Sequence, residues 1–150
     1  MRVIIQRVLE ASVSIEGKIY STIRQGMLIL VGIEDLDQLE DIHWLGHKLL
    51  NLRIFNDESG VMNLSVKEIQ GELLIVSQFT LHALTKKGNR PSYVKASKPE
   101  IALPLYDEFV KHMGKVSQLV VKTGVFGADM QVKLLNDGPV TLFIDSRNKE

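Results

Sequence analysis

Gln25-Gly26-Met27-Leu28-Ile29-Leu30-Val31 is a glycine stop followed by an unbroken apolar run. A strand with one wet face alternates apolar and polar side chains. This run has no polar member, so it reads as a strand covered on both faces and central to its sheet. Upstream, Val3-Ile4-Ile5 and Val13-Ser14-Ile15 read as two short strands, and Glu16-Gly17-Lys18 turns the chain into Ile19-Tyr20-Ser21-Thr22-Ile23, a hairpin. Downstream the period changes. Leu39, Ile42, Leu45, Leu49 and Leu52 recur at the steps of one buried helical face, with Asp37 and Glu40 spaced as a capping box. Arg53-Ile54-Phe55 leads into the turn-rich Asn56-Asp57-Glu58-Ser59-Gly60, and Gly71-Glu72 precedes a strand over residues 73–79.

A second helix is predicted from near Pro99 to Met113, with Gly114 as its stop and Ile101, Leu105, Phe109 and Met113 on one face. Pro104 removes a backbone donor there, which predicts a late start or a bend. Strands over residues 119–122, 131–135 and 140–144 complete the chain. The pattern predicts an α/β fold of mixed, mostly antiparallel sheets forming a sandwich or partly closed barrel, with two helices on one face.

At 150 residues the chain suits a single domain over 1–150. It has no cysteine, so disulfide staples and thiolate metal sites are excluded. Met1-Arg2-Val3-Ile4-Ile5-Gln6-Arg7 is too short an apolar stretch for a signal peptide, and no run reaches membrane-spanning length, so a cytoplasmic protein with no membrane partner is expected. Eighteen basic and 18 acidic residues balance, but unevenly along the chain. Lys86, Lys87, Arg90, Lys95 and Lys98 lie between His82 and Pro99 with no acid among them, while residues 34–40 are acidic. Such a run is either a solvated loop or a phosphate-attracting edge.

Ser77-Gln78-Phe79-Thr80-Leu81 closes one apolar run and Asn136-Asp137-Gly138-Pro139-Val140-Thr141 opens another. Strand ends let a rigid scaffold aim peptide N–H and C=O groups at a ligand without withdrawing them from sheet pairing. The other candidates are weaker. His43 and His47 have a metal-ligand spacing but lack the glutamate of His-Glu-x-x-His and any cysteine partner, so no metal is expected. Gly124-Val125-Phe126-Gly127 has the form of an RNA-clamping Gly-x-x-Gly loop, but two glycines three apart are common and a plain turn between two strands is the stronger reading. Thr80 and His82 would share a strand face roughly 7 Å apart, a poor geometry for nucleophile and base.

Gln6-Arg7-Val8, Ser77-Gln78-Phe79-Thr80-Leu81, Gly88-Asn89-Arg90-Pro91-Ser92, Gly127-Ala128-Asp129-Met130 and Asn136-Asp137-Gly138-Pro139-Val140-Thr141, in this order and spacing, resemble the D-aminoacyl-tRNA deacylase family. The resemblance covers nearly the whole chain. It implies a cofactor-free ester hydrolase that removes D-amino acids, or glycine, from the 3′ end of aminoacylated tRNA, and it implies a homodimer. Under it, Ser77, Gln78, Phe79 and Thr80 form the catalytic segment, and Gly138-Pro139 is a cis-proline motif whose carbonyls select substrate chirality across the dimer. Val125 stands where the family often carries a charge. Arg7, Lys86, Lys87 and Arg90 are candidate RNA contacts, with Arg7 equally placed to be a buried structural partner. A non-catalytic RNA-binding module is the rival reading.

Overall fold

The computed structural model describes residues 1–149. In chain order the elements are β1 (Arg2–Ile15), β2 (Lys18–Ile23), β3 (Gly26–Gly32), α1 (Leu39–Asn51), β4 (Phe55–Asn56), β5 (Met62–Leu64) and β6 (Glu72–Ser77). A 3-10 turn (Phe79–His82), α2 (Pro99–Ser117), β7 (Val121–Thr123) and β8 (Gln131–Asp145) follow. The main sheet mixes antiparallel pairs, β1 with β2, β3 and β8, and parallel pairs, β3 with β6 and β6 with β7. Its far edges meet where Ser21 Oγ of β2 donates to the Thr123 carbonyl of β7 at 2.7 Å, so the sheet curls into a nearly closed barrel. β4 and β5 form a separate small sheet.

The apolar run Met27-Leu28-Ile29-Leu30-Val31 is the central strand β3, flanked by β1 and β6. Alternation then divides its side chains between two cores. Met27, Ile29 and Val31 pack with Ile42, Leu45 and Leu49 of α1 and Phe109 and Met113 of α2. Leu28 points into the barrel among Val8, Ala11, Val13, Leu74 and Val76. Each such side chain taken fully out of water contributes about 1.5–3 kcal/mol. The helices cross closely at Gly46, where an added Cβ would stand 2.7 Å from His112 Cδ2.

Four expectations are corrected. The two short strands at residues 3–5 and 13–15 are one strand, β1, because β8 pairs with it along nearly its whole length. Register shifts around Val8 change which face the side chains occupy, and that change breaks the alternation visible in sequence. Likewise residues 131–135 and 140–144 are one strand, β8, with Gly138-Pro139 inside it. The capping box lies one residue later than predicted: the Gln38 N–H donates to Asp41 Oδ2 at 2.9 Å. Asp37 is buried instead, its carboxylate accepting from the Met1 amino group and the Glu34 N–H. Finally, α2 passes through Gly114 to end at Gln118, which takes the left-handed conformation with φ 59°. Pro104 sits inside that helix, and the Glu100 carbonyl it leaves without a donor belongs to an exposed residue that water can reach.

Candidate active site

Strand β6 stops at Ser77. The Gln78 N–H makes the last ladder bond, to the Val31 carbonyl at 2.7 Å, and the chain then tightens into the turn Phe79–His82. The first amides of any helical turn have no carbonyl ahead of them within the turn, and here they belong to Phe79 and Thr80. The Gln78 side chain folds over the turn, its Nε2 donating to Thr80 Oγ1 at 2.7 Å. Thr80 and His82 therefore do not share a strand face. Both ring nitrogens of the buried His82 are without a hydrogen-bond partner, so no Thr80–His82 pair exists. Burial pulls the His82 ring below the usual histidine range; the Gly32 backbone opposes this without reaching hydrogen-bond geometry, Arg2 adds to it, and Glu34 and Asp37 oppose it.

A cleft of about 560 Å³ opens beside this turn. Ser77, Gln78 and Phe79 form one wall, Tyr93 another, and Phe126 and Met130 a third. The volume suits a nucleoside-sized group, and mostly apolar walls with a few polar side chains among them are typical of ligand pockets. Phe79 and Tyr93 meet edge to face, ring centroids 5.0 Å apart. Gly124 and Gly127 shape the loop that delivers the third wall. An added Cβ at Gly124 would meet Met130 Sδ at 2.5 Å, and Gly127 takes φ +77°.

The basic residues lie on the chain between the turn and α2. Leu84 and Ser92 exchange two backbone hydrogen bonds, of 2.7 and 3.0 Å, which make residues 85–91 a tight loop with Lys86, Lys87 and Arg90 exposed on it. Arg7 is different. It is 5% exposed, and its guanidinium is held by Asp137 Oδ2 and carbonyl (3.1 Å each), the Ile54 carbonyl (2.5 Å) and Asn56 Oδ1 (3.3 Å). It braces the segment that carries Gly138 and Pro139, whose peptide bond is cis. Those two residues are exposed and do not line the cleft of their own chain.

His43 of α1 packs against His112 of α2, ring centroids 4.8 Å apart, while His47 is exposed. Among the described residues no group of three or more His, Cys, Asp or Glu side chains is placed to hold a metal, and no helix is long and apolar enough to cross a membrane. Sequence reasoning from periodicity missed Tyr93, Phe126 and Met130 as cleft walls, since aromatic and thioether side chains in loops carry no periodic signal.

The sequence model of a family described as D-Tyr-tRNA(Tyr) deacylase matches residues 4–145. A protein of Flavobacterium psychrophilum named D-aminoacyl-tRNA deacylase is 65% identical over 150 residues, with 100% of both chains covered. Its namesake in Bacteroides fragilis is 63% identical over the same span, again covering 100% of both chains. Among solved structures, one named c-Myc DNA Unwinding Element Binding Protein superposes with a TM-score of 0.92 at 41% identity, covering 97% of this chain and 98% of that one.

Proposed function

The chain belongs to the D-Tyr-tRNA(Tyr) deacylase family, a hydrolase of the aminoacyl-tRNA ester bond, and on that footing we propose that it releases D-amino acids and glycine from tRNA with main-chain groups as its chief catalytic parts. An aminoacyl ester is already activated by its α-ammonium group and the neighbouring ribose hydroxyl. Positioning and stabilisation of the oxyanion therefore suffice. The Phe79 and Thr80 amides receive the ester oxygen, and Ser77 and Gln78 orient the terminal ribose. Water adds to the carbonyl carbon, the bond to the ribose oxygen breaks, and that oxygen leaves with a proton. The vicinal ribose hydroxyl aligns the water, since the imidazole nearest the turn is sealed from the cleft. The observation that carries this reading is the end of β6 at Ser77, after which Ser77, Gln78 and Phe79 line the cleft and Thr80 follows within the same turn, outside the lining.

Chirality is selected by Gly138 and Pro139 of a second copy, whose carbonyls leave room for hydrogen or a D side chain and collide with an L side chain. Their exposure, and their absence from the cleft of their own chain, support a homodimeric site. So do Leu135 (52% exposed) and Phe143 (58%), apolar side chains on the same strand. Lys86, Lys87 and Arg90 attract the phosphates of the tRNA acceptor end. The role is proofreading of translation in the cytoplasm.

The test is release of amino acid from matched D-, L- and glycyl-tRNA. The D and glycyl esters should be hydrolysed and the L ester spared; equal rates for D and L would overturn the selection step. Thr80→Ala should keep hydrolysis within about tenfold of wild type, because the amide survives the loss of the hydroxyl. A folded but inactive Thr80→Ala protein would point to a covalent nucleophile instead.

A further inference from the structure

His82 ends the turn that carries Phe79 and Thr80, and it is 0% exposed. Among the described residues, its two ring nitrogens are the only buried side-chain nitrogen or oxygen atoms with no hydrogen-bond partner. Such atoms are rare in folded proteins because they give up water and receive nothing in return. An apolar side chain would fill the space at less cost. The ring is also in contact with the seat of the turn. A Cβ added at Gly32 of β3 would stand 2.9 Å from Leu81 Cβ, 3.0 Å from the Gln78 carbonyl and 3.0 Å from His82 Cδ2. The bare Gly32 backbone is thus where the turn rests, and ring and turn are placed by one set of contacts. From β1, Arg2 Nη1 holds the Leu81 carbonyl at 3.1 Å.

The charged groups around the ring already have partners. Arg2 is bound to Asp145 at 2.8 Å, Asp37 to the Met1 amino group, and Glu34 lies 3.9 Å from Arg147. None of them makes a hydrogen bond to the imidazole. A proton on His82 would place a charge with no hydrogen-bonded counter-ion against the turn. We propose that His82 is a positioning residue of the deacylase, keeping the Phe79 and Thr80 amides in place only while its ring is uncharged, so that protonation shifts the turn and stops hydrolysis. Burial, the largest cause, lowers the ring's pKa in the folded state. The fold therefore prefers the neutral ring, and the stability gained from that preference is present above the ordinary histidine value of about 6.5 and lost as pH falls below it.

The experiment follows single-turnover deacylation by the full chain from about pH 8 to about pH 5 in wild type, His82→Leu and His82→Gln, with the His82 ring titrated by NMR in parallel. The wild-type rate should fall about tenfold per pH unit below the ring's own midpoint, and the kinetic and NMR midpoints should coincide. In both variants this acid limb should vanish. Glutamine keeps a polar side chain that does not titrate, so it serves if leucine fails to fold. The substrate's α-ammonium group titrates alike in all three proteins, so the difference belongs to the ring. An acid limb that persists in either folded variant, or a ring that titrates without a change in rate, would reject the role. Because His82 acts through the same amides proposed above, the two outcomes are kept apart: a folded, inactive Thr80→Ala protein rejects the amide-led reaction, whereas a persistent limb rejects only His82.

Discussion

Gly138→Ala is expected to lower kcat/KM for a D-aminoacyl-tRNA by about a hundredfold and to erode the preference for D over L esters, while the protein still folds. Gly138 has φ +124°, a conformation that L side chains rarely adopt. The new Cβ would also lie 2.8 Å from Val140 Cγ2, 2.9 Å from Arg7 Nη2 and 3.1 Å from the Val140 nitrogen. Valine can rotate, but the guanidinium is pinned by its partners and the backbone nitrogen is part of β8, so the segment itself must move. A displacement near 1 Å at a group that positions substrate is enough for an effect of this size. Gly17→Ala is the control. It has φ +75° and nothing within 4 Å of the added Cβ, so it carries the backbone cost of about 1 kcal/mol without the crowding. Equal activity in Gly138→Ala and Gly17→Ala, with chirality preference intact in both, would remove Gly138 from the selection step.

The parts of the fold legible in the sequence are those set by periodicity over several residues. The run Met27-Leu28-Ile29-Leu30-Val31 is legible because burial on both faces leaves no alternative pattern, and the α1 stripe because Ile42, Leu45 and Leu49 face one core. Leu39, counted in that stripe, is 51% exposed, at the first position of the helix. What periodicity conceals is a strand that changes face. β1 buries Val3 and Ile5 on the helix side and Ala11 and Val13 in the barrel, and the shift around Val8 looks in sequence like a gap between two strands. The same shift, read from β8, hides Gly138-Pro139 within a strand. Of the site, the end of β6 was legible to within two residues: the pattern carries the strand to Phe79, whereas it stops at Ser77, because the apolar Phe79 looks like strand in sequence but opens the turn. The burial of His82 was not, because a single polar residue at a turn gives no sign of which way it points.

Arg7 supplies the other large effect. Replacing it with alanine should cost about 2–4 kcal/mol of stability, a fall in Tm of roughly 5–15 °C for a chain of this size. The loss comes chiefly from the acceptor left behind in the interior, the Ile54 carbonyl bonded at 2.5 Å, while the Asp137 carbonyl and Asn56 Oδ1 are only partly buried and lose less. The ion pair with Asp137 adds less, because that carboxylate is 36% exposed and water screens it. Arg7→Lys separates brace from charge. A lysine keeps the positive charge but cannot satisfy the Ile54 and Asp137 carbonyls together from one nitrogen at the end of a flexible stem. If Arg7 contacts phosphate, Arg7→Lys should raise KM, leave kcat and the D-over-L ratio unchanged, and flatten the salt dependence to the extent that a phosphate contact is lost. If it braces Gly138 and Pro139, the lysine variant should lose about tenfold or more in kcat and admit L esters, with the salt dependence of wild type. The 5% exposure of Arg7 and the number of its internal partners favour the second outcome. A lysine variant with normal kcat and chirality would show that the segment holds its place without the fork of the guanidinium.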